Sequence, residues 1–197
     1  MKLKYVIFST PLVTGILYYI SVVLLKITGW KLSGEFPSHK KFVLIGAPHT
    51  SNWDMAITFM AVFAYRKEIR WFGKKSIFRF PFNNLMKWMG GIPIDRSKRS
   101  NTVEAAAEFF QRFDSLVIAL APEGTRKKVK KWKTGFYYIA LKAGVPIVFG
   151  FLDYKNKTAG IGPEIIPSGD FNADMKLILD FYRVIEGKHG HCIDPDE

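Results

Sequence analysis

The chain of 197 residues suits one globular domain, and its 48% hydrophobic and 15% aromatic content excludes a disordered chain, which would lack core-forming surface. Lys and Arg outnumber Asp and Glu by 29 to 17, a formal net charge of +12 that favours polyanionic surroundings: nucleic acid, anionic lipid headgroups or phosphorylated ligands. The single cysteine, Cys192, excludes an internal disulfide framework and a zinc site built on cysteine pairs, and fits a reducing compartment.

Residues 5–25 carry no charge, with Lys2 and Lys4 before them and Lys26 and Lys31 after. The run is of the length a helix needs to cross a hydrocarbon layer, about 20 residues. Pro11 and Gly15 interrupt it, and Tyr18 and Tyr19 give it polar handles. It predicts a membrane helix, spanning or lying in the interface, with a buried core helix as the alternative. No small-residue cleavage site of a signal peptide precedes Lys26. The change of pattern over 26–35 marks the one boundary, between an apolar segment 1–28 and a domain 29–197. Residues 30–34 alternate weakly, as an edge strand does. Residues 41–46 are a short apolar run ending at Gly46, Pro48 and His49, the pattern of a buried strand leading into a loop.

A buried helix is predicted over 54–65, a strand over 69–72, a short amphipathic helix over 81–89 stopped by Gly90 and Gly91, and a strand and turn over 92–96. A helix over 102–113 carries Ala105, Ala106, Phe109, Phe110 and Phe113 as a buried stripe. A strand over 115–121 leads into Pro122-Glu123-Gly124. A helix over 135–143 is closed by Gly144, a strand covers 145–152, a strand or hairpin 158–166, and a last helix 175–185. Strands alternating with helices give an α/β class with a largely parallel mixed sheet flanked by helices.

Chemistry concentrates in four places. Pro48-His49-Thr50-Ser51-Asn52-Trp53-Asp54 puts a histidine at a strand end, where α/β folds place reactive groups. Asp54, if the turn folds back, can hold one imidazole nitrogen and leave the other as a proton acceptor. The competing reading is a helix N-cap by Thr50, Ser51 or Asn52. No serine or cysteine stands in a Gly-x-Ser-x-Gly elbow, so the base serves a substrate hydroxyl. Ala121-Pro122-Glu123-Gly124-Thr125-Arg126 ends another strand. Its glycine turn exposes backbone N–H groups, Arg126 offers a fork for phosphate, and Glu123 can orient Arg126 or the acceptor. Gly91-Ile92-Pro93-Ile94-Asp95-Arg96 brings Arg96 to a third strand end, with Lys74 and Lys75 upstream adding positive potential. The run 126–133 is almost wholly basic around an amphipathic Trp132, fit for anionic headgroups or the phosphates of an acyl carrier. Each also reads as an ordinary solvated turn. No nucleic-acid-binding module accompanies the charge.

In this order, the blocks His49/Asp54, Ile92 to Arg96, Pro122-Glu123-Gly124-Thr125-Arg126 and Val145-Pro146-Ile147-Val148 resemble the lysophospholipid acyltransferase family, which includes the 1-acylglycerol-3-phosphate acyltransferases. The chain departs from the common family pattern in Pro48-His49-Thr50-Ser51 and in Ala121. The resemblance implies a catalytic domain at 29–197 and transfer of a fatty acyl group to a lysolipid hydroxyl, with His49 and Asp54 as a catalytic dyad. The donor is a thioester on coenzyme A or acyl carrier protein, a substrate rather than a cofactor; no metal is implied. Arg96, Glu123, Gly124, Thr125 and Arg126 are the implied acceptor-binding residues. The expected setting is the membrane, at its cytoplasmic face, with membrane lipid and the acyl carrier as partners and no nucleic acid. Two rival readings are a phosphate-free lyso-aminolipid acceptor and, from another class, a non-catalytic basic protein that binds membrane or nucleic acid.

Overall fold

The computed structural model describes residues 6–94 and 99–190, with 99–102 as backbone alone. Within them seven strands form one sheet: β1 (Lys31–Ser33), β2 (Lys41–Ala47), β3 (Arg70–Lys74), β4 (Gly91–Ile94), β5 (Leu116–Leu120), β6 (Ile147–Asp153) and β7 (Thr158–Ile165). Their order is β1-β7-β6-β2-β5-β3-β4, and all neighbours run parallel except β6 and β7. The predicted mixed, largely parallel sheet is observed, with 31–33 as its edge.

β2 lies at the centre, which explains its unbroken apolar sequence. A parallel strand covered on both faces has no polar side. Its side chains alternate between two layers. Val43, Ile45 and Ala47 join Phe110, Phe136, Ile139 and Ile178, from α4 (Arg99–Arg112), α5 (Gly135–Ala143) and α6 (Phe171–Tyr182). Phe42 and Leu44 face Val6, Phe8, Val62 and Phe63 on the other side, where α2 (Trp53–Ala64) lies. Tyr182 of α6 reaches under the central strands and donates its phenol to the carbonyls of Ile45 and Gly150, at 3.1 and 3.0 Å.

The N-terminal run departs from expectation. α1 covers Val13–Thr28, starting two residues after Pro11 and ending at Gly29 in the left-handed region. Residues 6–10 form turns instead, and Thr10 donates its hydroxyl to the Val6 carbonyl at 2.7 Å. Val6 and Phe8 are core, with the Phe8 ring 4.9 Å from that of Phe63. Part of the charge-free run is therefore apolar because it is buried. Sixteen helical residues extend about 24 Å, short of a hydrocarbon layer of about 30 Å. No helix among the described residues is long and apolar enough to cross a membrane. α1 packs through Leu25 near Ile57 and Ala61, while Leu12, Ile16, Tyr19, Val23 and Ile27 stay exposed along one side.

Two other helices begin earlier than their apolar pattern predicts. α6 starts at Phe171 because Asp170 accepts the N–H groups of Asn172 and Ala173, both at 3.1 Å. α4 starts at Arg99. α3 (Asn83–Trp88) is shorter than expected and is preceded by a 3-10 turn, Lys75–Ile77.

Tyr182→Phe removes a buried donor from two strand carbonyls, and a cost of about 1–2 kcal/mol is expected. A urea titration checks this: the midpoint should fall with the slope unchanged.

Candidate active site

β2 and β5 are paired neighbours, so the loops that follow them emerge side by side at the C-terminal edge of the sheet. The first loop is folded back by carboxylates. The N–H groups of Thr50 and Ser51 donate to Asp54 Oδ2 at 2.7 and 2.8 Å. The N–H of His49 donates to both oxygens of Glu123, at 2.9 and 3.0 Å. Three successive main-chain donors are thus held by two acidic side chains that are almost fully buried, Asp54 at 3% exposed and Glu123 at 2%.

This fold-back brings His49 Nδ1 to 3.2 Å from Asp54 Oδ2. The imidazole is 31% exposed and borders a cavity. An oriented ring on a buried carboxylate, open on its far side, is the arrangement of a general base. The helix-cap reading of the same motif is met in part: Asn52, before α2, makes no side-chain cap, but Ser51 Oγ accepts the Trp53 N–H at 3.2 Å at the start of the helix.

A third residue joins the pair. Tyr154, in the β6–β7 turn, donates its phenol to Asp54 Oδ1 at 2.5 Å. Its own N–H donates to the Glu186 carbonyl at 2.8 Å, and its ring meets Trp30 edge-on at 4.9 Å. Burial pushes the Asp54 carboxyl up, but the hydrogen bonds from His49, Tyr154 and the N–H groups of Ser51 and Thr50 together outweigh it and hold the carboxyl below its ordinary value. Burial, then the bond to Asp54 and its charge, drive the Tyr154 phenol well above its ordinary value, so it stays a donor. The C-terminal turn also touches the loop, with the His189 N–H 3.3 Å from Thr50 Oγ1. Neither Tyr154 nor this turn carried a sequence signal. Both lie about a hundred residues or more from the loop they support.

The Glu123 carboxylate, which the sequence offers as an orienter of Arg126 or the acceptor, accepts the His49 main-chain N–H with both oxygens. The Gly124 N–H donates to the Ala121 carbonyl at 3.1 Å, and Gly124 adopts φ +65°, a conformation other residues avoid. A Cβ there would also run into the Lys133 side chain. Thr125 and Arg126 are exposed and line the same cavity as His49 and Asp54. Arg96 lies outside the described residues. Trp132, expected to face headgroups, is buried against Phe136 and Tyr182 and anchors the basic loop, leaving Lys127, Lys128, Lys130 and Lys131 outward.

The cavity measures about 670 Å³. It follows the underside of α2, from Asp54 and Met55 past Phe59 and Val62 to Tyr65, with Leu44 and Ile161 opposite. Twelve helical residues span about 18 Å, so a mostly apolar passage of that order ends at the imidazole. Among the described residues no group of three or more His, Cys, Asp or Glu is arranged to hold a metal ion.

The folded Asp54 binds its proton more weakly than an unfolded carboxyl, whose value is about 4. Its stabilising share is therefore complete above that pH and is lost as pH falls through the lower folded value. Tyr154→Phe should cost about 1.5–3 kcal/mol at pH 7, as a lost bond to a charged group. The gap between variant and parent should narrow towards pH 3. Denaturation midpoints of both at the two pH values test this; a gap that does not change with pH would reject it.

Residues 31–148 match a family model described as Acyltransferase. The 1-acyl-sn-glycerol-3-phosphate acyltransferase of Haemophilus influenzae is 30% identical over 155 residues, covering 74% of this chain and 63% of that protein. The Escherichia coli protein of the same name is 33% identical over 108 residues, covering 52% and 43%. The chain thus spans less than two thirds of the length of these curated relatives. In fold it is similar to the crystal structure of the 1-acyl-sn-glycerophosphate (LPA) acyltransferase PlsC from Thermotoga maritima, with a TM-score of 0.61 at 16% identity, over 86% of this chain and 76% of that one. The loop that carries His49 and Asp54 and the turn of Glu123 to Arg126 both fall inside the matched span, and the chain belongs to the acyltransferase family.

Proposed function

We propose that the chain moves a fatty acyl group from a thioester, on coenzyme A or acyl carrier protein, to the free hydroxyl of 1-acylglycerol-3-phosphate, giving phosphatidate. The observation that carries this is the His49–Asp54 contact at the end of an apolar cavity of acyl-chain dimensions. The names of the relatives support the acceptor.

His49 takes the proton from the acceptor hydroxyl as its oxygen attacks the thioester carbonyl. Asp54 keeps Nδ1 as the protonated nitrogen and stabilises the imidazolium that forms. The tetrahedral intermediate collapses, the C–S bond breaks, and the thiolate takes the proton back from His49. The N–H groups of His49, Thr50 and Ser51 are already engaged by Glu123 and Asp54. The Gly124 N–H is likewise held by the Ala121 carbonyl, so oxyanion stabilisation falls to Thr125 and Arg126 of that turn, which share the cavity. Arg126, with Arg96, binds the acceptor phosphate through forked, charge-assisted contacts. Burying the Glu123 carboxylate against the His49 main chain makes Glu123 a positioning residue for this site. The exposed apolar side of α1 lies in the lipid interface, with lipid as a partner at the cytoplasmic face.

His49→Ala should lower transfer by about 10² to 10⁴ with the fold kept, and Asp54→Asn should be comparably impaired through the wrong imidazole tautomer. Free-thiol release from an acyl thioester reads both; near-full turnover in a folded His49→Ala chain would remove the dyad from the mechanism.

Arg126→Ala should raise KM for the phosphate-bearing acceptor more than for the donor, and Arg126→Lys should recover only part, because an ammonium lacks the fork. A parent chain that ignores 1-acylglycerol-3-phosphate yet acylates a phosphate-free lyso-aminolipid would replace the acceptor and leave the transfer chemistry standing.

A further inference from the structure

The segment between β3 and β4 exposes aromatic surface that the fold does not use. Phe78 is its inner anchor. The ring stacks on Trp71 with centroids 5.9 Å apart. It fills a notch that exists because 73 and 91 are glycines, where added Cβ atoms would fall 2.7 and 2.9 Å from it. With Phe78 fixed inward, the residues that follow are turned out. Phe80 is 96% exposed and Phe82 58%, and Ile77 and Leu85 are exposed as well. Single exposed apolar residues are ordinary, but four within nine positions form a patch that monomeric proteins seldom leave uncovered.

Charge selects the partner. Residues 69–94 contain no acidic residue. Lys74, Lys75, Arg79 and Lys87 all stand exposed around the phenylalanines. Aromatic tips ringed by cations suit an anionic lipid surface, where the rings enter the interface and the cations stay at the phosphates. The patch is also tied to the exposed side of α1. The Ile7 N–H donates to the Trp88 carbonyl at 2.7 Å, and the Trp88 indole donates to the Thr10 hydroxyl at 2.9 Å, two residues before the exposed Leu12. Trp71, against which Phe78 stacks, lines the cavity that ends at His49.

We propose that the segment of residues 75–88 is a second lipid-contacting surface, which seats on an anionic bilayer beside α1 and brings the cavity to the lipid. This rests on the reading of the chain as a lipid acyltransferase. Two weak anchors close together hold a protein to a membrane far better than one, and two fix its orientation where one leaves it free to roll.

The test uses the full chain with vesicles of phosphatidylcholine and phosphatidylglycerol, read by co-sedimentation. Phe80→Ser/Phe82→Ser should weaken binding about tenfold or more. Lys74→Gln/Lys75→Gln/Arg79→Gln should weaken it at low salt and little at high salt. Both sets are at the surface, and circular dichroism verifies that the fold is kept. As a direct readout, a fluorophore on Phe80→Cys in a Cys192→Ser background should be quenched by spin-labelled lipid. If the parent binds and Phe80→Ser/Phe82→Ser binds equally while Ile16→Ser/Val23→Ser in α1 is released, the second surface is overturned and the membrane reading stands. A parent that ignores vesicles overturns both. Self-association in solution that Phe80→Ser/Phe82→Ser abolishes, with vesicle binding unchanged, assigns the patch to a second copy of the chain and overturns the proposal.

Discussion

Everything at the site depends on two buried carboxylates gripping one loop. A carboxylate withdrawn from water is costly unless its oxygens are filled with donors. Asp54 and Glu123 meet that demand with the N–H groups of His49, Thr50 and Ser51, which a tight loop would otherwise leave unsatisfied. Each side solves the other's problem. The loop loses its freedom, and the imidazole is delivered to Asp54 without needing contacts of its own. Replacing either acid with an apolar residue would strand main-chain donors as well as remove a charge, so the geometry of His49 and the stability of the loop cannot be varied separately.

The frame of this arrangement was legible in the sequence because it rests on local patterns. The apolar run within 41–46 read as a buried strand and is β2, and the glycine after 143 did close α5. The spacing of His49 and Asp54 allowed the return of the carboxylate, and the resemblance of the four blocks implied it. What escaped is what depends on distant residues. Tyr154 sits in a polar turn, and nothing in Asp153-Tyr154-Lys155-Asn156 reveals that its phenol ends on a carboxylate of another loop. Glu123 read as an orienter of Arg126 or the acceptor, or as a solvated turn residue, because acidic residues in turns usually face solvent, and its burial follows from β5 lying beside β2. Trp132 misled in the same way. In sequence it stands among lysines, and only the fold shows the indole pointing down while they point out.

The N-terminal run shows the limit of reading hydropathy by length. Residues 6–10 and residues 13–25 of α1 are equally free of charge, yet one part is apolar to enter the core and much of the other stays exposed. Pro11 separates the two. Uniform hydrophobicity therefore concealed two environments, and the shorter helix presents a single greasy side rather than a full apolar cylinder.

α2 connects these features. Its first turn carries Asp54, where the positive end of the helix dipole favours a carboxylate. Its underside walls the cavity from Met55 to Tyr65. Its remaining surface receives α1 through Ile57 and Ala61, close to Leu25. His49, the cavity and the exposed side of α1 are accordingly all referred to one helix. For the proposed transfer, in which a hydrocarbon chain must lie in one place while a proton leaves an oxygen in another, α2 relates the two places, because Asp54 of its first turn holds His49 and its underside lines the cavity.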